Sequence, residues 1–189
     1  MIPCLAIRAA SEHADLVSKQ CYLVLHDYGM GGLWWWIHAR SVREVLETFA
    51  EVEVVDAPAA ISQAEERHLE EIDIDASVMP PGLDELRATR DSQRGVPGFG
   101  ALANRQVVYL RQNGDGDDPA TYLMEIGRDG RRIRQVETNE DGVATKTDAE
   151  DWPFNPPLVD LFDPHLRDQE VDRDEFERAW VGAQRANGR

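Results

Sequence analysis

The side chains of this 189-residue chain best suited to proton transfer, metal ligation or nucleophilic attack are five histidines, His13, His26, His38, His68 and His165, and two cysteines, Cys4 and Cys21. Their spacing assembles no known centre. No H-x-x-x-H or C-x-x-C pair occurs, so no metal site is expected and no cofactor is assigned. A Cys21 and His26 nucleophile pair is disfavoured, because Cys21 adjoins the apolar run Tyr22 to Leu25, where a thiol is usually inert. Asn113, Asp115 and Asp117 match the first oxygen ligands of a calcium loop. The sixth position, however, is Asp118 instead of Gly and the twelfth is Met124 instead of a bidentate Glu, so a solvated hairpin tip is expected. Gly29-Met30-Gly31-Gly32 follows a strand as a phosphate loop does. It leads into tryptophans, not a helix N-terminus, and a hairpin loop is the better reading.

Trp34-Trp35-Trp36 offers a second chemistry, the stacking of a sugar, a flat heterocycle or a partner side chain on aromatic faces. Core packing is the favoured role. The side-chain period of two sends Trp34 and Trp36 to one face and Trp35 to the other, and Trp35 is expected to be the exposed ring if one face is wet. His26, Tyr28, Trp35 and His38 then define a candidate ligand pocket beside the first hairpin.

Acidic density is the third feature. The chain carries 36 Asp and Glu against 20 Lys and Arg, a net charge of −16. That charge disfavours nucleic acid and anionic membranes and favours a basic protein partner. Glu65, Glu66, Glu70, Glu71, Asp73 and Asp75 crowd one stretch, and Asp160, Asp163, Asp168, Glu170, Asp172, Asp174, Glu175 and Glu177 crowd another. A charge run is commonly only a solvated face. Read as a docking surface, it gives Glu65, Glu66, Glu70, Glu71, Asp73, Asp168 and Glu170 as partner-binding residues. Only Lys19 and Lys146 of the 20 basic residues are lysine.

The elements that must hold these residues follow from pattern. Cys21 to Asp27 and Leu33 to His38 read as a strand hairpin. Ser41 and Glu44 have capping-box spacing before the stripe Val42, Val45, Leu46 and Phe49, and Val52 to Val55 returns to strand composition. A second helix is expected from Asp56 and Pro58 through Glu71. Between residues 79 and 104, prolines and glycines punctuate one short helical candidate, Asp84 to Ser92. Beyond it, Gln106–Arg111, Thr121–Gly127, Arg131–Thr138 and Val143–Thr147 read as four strands of a meander. Ile133 and Val136 have opposite parity, which predicts a bulge or one residue facing solvent. Trp152-Pro153-Phe154-Asn155-Pro156-Pro157 sustains neither a helix nor a central strand. Asp172 and Glu175 then cap a helix carrying Phe176, Ala179, Trp180 and Ala183.

The fold class is therefore α+β, an N-terminal β-β-α-β unit followed by an antiparallel four-stranded meander closed by a C-terminal helix. The domain division expected is a flexible N-terminus over 1–19, a β-β-α-β-α unit over 20–78, a linker over 79–104 and a sheet-plus-helix domain over 105–189. The start of the chain lacks a signal-peptide pattern, no run of 18 apolar residues occurs, and a soluble, cytoplasmic protein is expected.

Several of these residues resemble a bacterial domain of unknown function. They are Tyr122-Leu123-Met124-Glu125-Ile126, the stretch Arg131 to Glu137, the Asp141-Gly142 turn, Trp152-Pro153 and Glu175-Phe176-Glu177-Arg178-Ala179-Trp180, spread over about the last 75 residues. The Trp-rich part from Tyr22 to Val55 resembles an extension found on some members. The resemblance implies a small sheet closed by a helix and a bacterial cytoplasmic origin, and it carries over no catalytic residue. The function expected is that of a non-enzymatic acidic interaction protein that binds, and in the manner of an immunity protein neutralises, a basic partner such as a toxin or nucleic-acid-binding protein. The alternative is a small-molecule-binding or catalytic domain with its pocket beside the tryptophan hairpin.

Overall fold

The computed structural model describes residues 18–29, 31–114, 119–152 and 156–185. It is a mixed α+β fold with two sheets, and its contacts divide into an N-terminal unit, Met1–Arg90, and a C-terminal unit, Asp91–Arg189.

In the N-terminal unit, strands β1 (Gln20–Asp27) and β2 (Gly32–Ala39) form the antiparallel hairpin. Its loop is made possible by Gly29 at φ 86 and Gly31 at φ 155, backbone conformations that side chains rarely adopt. Helix α1 (Val42–Thr48) follows, and Ser41 accepts from the Glu44 amide as its spacing predicts. Glu44 reaches back to the amide of Arg40, one residue earlier than in a standard capping box. Strand β3 (Glu53–Val55) pairs antiparallel with β1.

Helix α2 covers only Pro58–Glu65, not the longer span to Glu71 that the sequence suggests. Residues Glu71–Asp73 form strand β4, parallel to β2, giving the sheet order β3-β1-β2-β4. The helix stops where its apolar side thins: Ala64 is its one buried residue, and of the polar stretch Glu66 to Glu70 only Leu69 packs on the core.

Each face of this sheet carries a core cluster. Val24, Trp35, Ile37 and Ala39 pack with Val45 and Phe49 of α1 and with Met79, Leu83 and Leu86. The last two belong to helix α3 (Leu83–Arg94), so the stretch read as a linker supplies core residues at its N-terminal end. On the opposite face, Leu23, Leu25, Trp34, Trp36 and Val55 meet Ala60, Ile61 and Ala64 of α2. Arg90 is 1% exposed, and its Nε and Nη2 donate to the Phe49 carbonyl at 3.3 and 3.0 Å, satisfying an acceptor at the C-terminus of α1.

In the C-terminal unit, β5 (Val107–Gly114), β6 (Ala120–Gly127), β7 (Arg132–Asn139) and β8 (Ala144–Asp148) pair antiparallel in sequence order. A fifth strand beyond the four expected, β9 (Gln184–Arg185), adds parallel to β8. The register slips where Glu125 pairs with Arg134 and Ile126 with Arg132. Ile133 is the extra residue, and it is 41% exposed.

Helix α4 (Arg173–Gly182) closes one face, with Asp172 accepting from the Glu175 amide at 2.7 Å and Phe176 fully buried against Leu123 and Val136. Arg134 lies 4.9 Å from the ring centres of both Phe176 and Trp180 and is held by Glu125 and by Glu177 at 2.7 Å. The other face packs Val108, Leu110, Met124 and Ile126 on Leu102, Leu161 and Leu166. No helix among the described residues is long and apolar enough to cross a membrane.

Candidate functional site

Strand parity gathers titratable side chains at one corner of the N-terminal sheet. Lys19 and Cys21 share the parity of Leu23, while His38 and Arg40 share that of Trp36. Glu71 and Asp73 pair with Trp36 and His38, so all six belong to the sheet face that carries Leu23 and Trp36. Lys19 bonds Asp73 and sits 2.6 Å from Asp75, and the Arg40 guanidinium reaches Asp75 at 2.6 Å. These hydrogen bonds, from Arg40 first and then Lys19, hold the Asp75 carboxyl at a pKa of about 2. Asp73 is likewise lowered by the Lys19 ammonium, whose own pKa rises. His38 Nε2 lies 3.2 Å from Glu71 Oε2.

Of the acidic residues read as a docking surface in this unit, two are thus partnered internally: Glu71 by His38 and Asp73 by Lys19. Lys19 ends the segment expected to be flexible, yet it is held by two carboxylates. Glu65, Glu66 and Glu70 are exposed, and among the described residues no cation pairs with them. They do not lie on one helix. Glu65 is the last residue of α2, Glu66 its C-cap, and Glu70 precedes β4 with its carbonyl accepting from the Trp36 amide at 3.0 Å.

The second acidic stretch lines an open groove of about 600 Å³ in the C-terminal unit. Its walls are Arg111 and Asn113 of β5 and Asp168, Gln169, Glu170, Val171, Asp172 and Glu175. A 3-10 turn, Pro164–Gln169, presents Asp168, because Asp163 accepts from the His165 amide and fixes the start of that turn. Val171 is pinned to the sheet by its N–H, which donates a hydrogen bond to the Tyr109 carbonyl at 2.9 Å and sets Glu170 and Asp172 on either side. Arg111 bonds Glu175, and Arg105 approaches Glu170 at 3.7 Å. Asp172 is occupied with capping α4. Four carboxylates therefore face one groove that holds one guanidinium, an arrangement suited to cationic side chains.

The four residues of the candidate pocket beside the tryptophan hairpin do not come together. Trp35 is 5% exposed and sits inside the core, opposite to the expectation that it would be the wet ring. Its face is covered by two helices, α1 and α3, whereas Trp34 and Trp36 lie under the single, alanine-rich α2 and stay partly exposed. His26 and Tyr28 are neighbours at the loop end, with ring centres 6.3 Å apart, and His26 Nδ1 lies 2.9 Å from the Glu51 carbonyl oxygen. His38 pairs with Cys21, five residues from His26 along β1 and so roughly 17 Å away at the ordinary rise of a strand.

The loop residues Asp115 and Asp117, Met30 and Pro153 to Asn155 lie outside the described residues, so the calcium-like spacing and most of the Trp-Pro segment are not placed. No group of metal-holding side chains occurs among the described residues. Reading by residue type missed Arg111 and Asn113 as walls of the acidic groove and Lys19 and Arg40 as counter-charges of the sheet corner. The strand pairing that sets them there was the signal. Compared with known proteins, the chain matches no family model, no curated protein and no solved structure.

Proposed function

We propose that this protein is a non-enzymatic acidic interaction protein that binds, and neutralises, a basic protein partner in the manner of an immunity or inhibitor protein. The observation that carries the reading is the open groove in the C-terminal unit, where Asp168 and Glu170 stand with Asp172 and Glu175 around Arg111. Such a surface raises the on-rate for a positively charged partner and places fixed acceptors where arginine or lysine side chains arrive. On the N-terminal unit, taken by itself, Glu65, Glu66 and Glu70 offer a separate acidic patch in the same reading, since no cation pairs with them among the described residues. Asp73 and Glu71 belong to the same reading with less freedom, each already being engaged. The resemblance of the last part of the chain to an uncharacterised bacterial domain is in keeping with this proposal and adds no site residue to it.

The test is capture of partners from the native cell extract at about 50 and about 200 mM salt, followed by mass spectrometry. The salt range is one over which surface charge contacts weaken strongly. A basic protein recovered at low salt and lost at the higher one is the expected result. The double reversal Asp168→Lys with Glu170→Lys should then weaken its binding at least tenfold, the effect of about 1.4 kcal/mol. Unchanged affinity in that variant would remove the groove from the interface.

A further inference from the structure

We infer that the basic partner enters the groove of the C-terminal unit as an extended segment, which adds as a strand to the open end of the β5 edge. This names the form of the partner and rests on the docking proposal. Strand β5 is an outer strand of its sheet, with β6 on one side only. Along an antiparallel strand, the backbone groups of successive residues turn alternately to one neighbour and to the other. Two hydrogen bonds fix that alternation here. The Tyr109 carbonyl accepts from the Val171 N–H at 2.9 Å on the outer side, while the N–H of Gly127, opposite Val107, donates to the Arg131 carbonyl and so turns away from β5. The odd-numbered residues of β5 therefore direct their backbone groups outward.

The chain covers only part of that edge. Glu170 bridges Leu110 and Val171 bonds Tyr109, and among the described residues no segment continues the pairing beyond them. The Arg111 carbonyl and both backbone groups of Asn113 are left facing outward, with no hydrogen bond printed by any neighbouring element among the described residues. Arg111 and Asn113 are exposed, and both line the groove. An unpaired stretch of strand backbone is a template for another strand. One residue of an incoming segment, set opposite Asn113, takes its N–H and its carbonyl together, and the Arg111 carbonyl is the next acceptor along the edge. A second orphan lies in the same wall: Oε1 of Gln169 is enclosed and has no donor among the described residues.

Charge decides what the segment carries. Asp168, Glu170 and Glu175 stand around this end of the edge, with Arg111 bonded to Glu175. Side chains of a strand alternate between its two faces, so lysines or arginines at alternate positions meet these carboxylates while the backbone pairs. The same carboxylates, in a chain of net charge −16, turn away a second copy of this protein. A short segment is enough. This fold itself holds strands of three and two residues, β4 and β9, through edge pairing of the same kind.

The experiment measures binding of two labelled peptides to the full-length chain by fluorescence anisotropy at about 50 mM salt, where charge contacts are weakly screened. Each has about eight residues, the length of an ordinary strand, with lysine and threonine alternating. One is unmodified. The other is N-methylated at every backbone nitrogen, which keeps its charge and removes its donors. The unmodified peptide should bind about tenfold more tightly, the effect expected from one or two backbone hydrogen bonds. Asn113→Pro removes the outward N–H at a position where an edge strand tolerates proline, and it should weaken the unmodified peptide about fivefold and leave the methylated one unchanged. Its folding is checked by the unfolding midpoint, and the peptide pair decides the matter without it. Equal affinity for the two peptides would overturn the strand addition and leave the groove as a charged surface alone. No binding of the unmodified peptide, or parent-like binding in folded Asn113→Pro, would overturn it as well. Unchanged binding of both peptides in the double variant Asp168→Lys with Glu170→Lys would instead remove the docking groove, and this inference with it.

Discussion

Asp75 shows how little of an acidic residue's behaviour follows from its being acidic. Its carboxylate accepts from Arg40 and Lys19, which holds its pKa at about 2, below the ordinary 3.8. A carboxyl lowered on folding stabilises the protein above its unfolded value and loses that contribution as pH falls through the folded one. The N-terminal sheet corner should therefore lose stability between about pH 4 and pH 2. In denaturant titrations followed by tryptophan emission, Asp75→Asn should be less stable than the parent at pH 6, and the gap should close over that window. A gap that persists at pH 2 would show that the Arg40 and Lys19 contacts are not its source. Arg90 is the buried counterpart. Its guanidinium satisfies the Phe49 carbonyl, and Arg90→Met should cost about 2 to 3 kcal/mol, the range for a hydrogen bond to a charged group left unmade. A midpoint shift smaller than about 0.5 kcal/mol would mean that water replaces it.

At the level of elements, the ones with strong signatures are those whose residues alone specify them. The Asp172 cap is one, and Asp172→Ala should cost about 1 kcal/mol in the C-terminal unit. Phe176→Ala should cost about 3 to 5 kcal/mol, because the ring is wholly enclosed by Leu123, Val136 and Trp180. Both are read from equilibrium unfolding, and equal costs for the two would contradict the packing described. The hairpin, α1 and the strands β5 to β8 were legible for the same reason, since hydrophobic period and turn residues agree there. Strands β4 and β9 were not. They have three and two residues, are mostly polar, and exist because β2 and β8 offer them an edge. The end of α2 and the inward turn of Trp35 likewise depend on which helix covers which face, which no local pattern encodes. The acidic stretches were visible as charge, but the groove around Asp168 and the Cys21 and His38 pairing required strand register.

For the molecule as a whole, a charge of −16 gives salt two opposite effects. Raising sodium chloride from about 10 to 150 mM shortens the screening length from roughly 30 to 8 Å, which relieves repulsion among the protein's own carboxylates. The thermal midpoint should rise over that range while affinity for a basic partner falls. Calorimetry and binding titrations on one preparation check both, and a midpoint that falls with salt would mean that the internal ion pairs outweigh the repulsion. The two lysines carry a practical corollary. Lys19 is clamped between Asp73 and Asp75, and Lys146 donates to the Trp180 carbonyl at 3.0 Å while lying over its ring. Amine-directed cross-linkers thus have two lysine side chains to attack, both already engaged, and will under-report any complex. Zero-length coupling through carboxyl groups, abundant and exposed along the groove, is the chemistry by which a captured partner can be fixed in place and its footprint read.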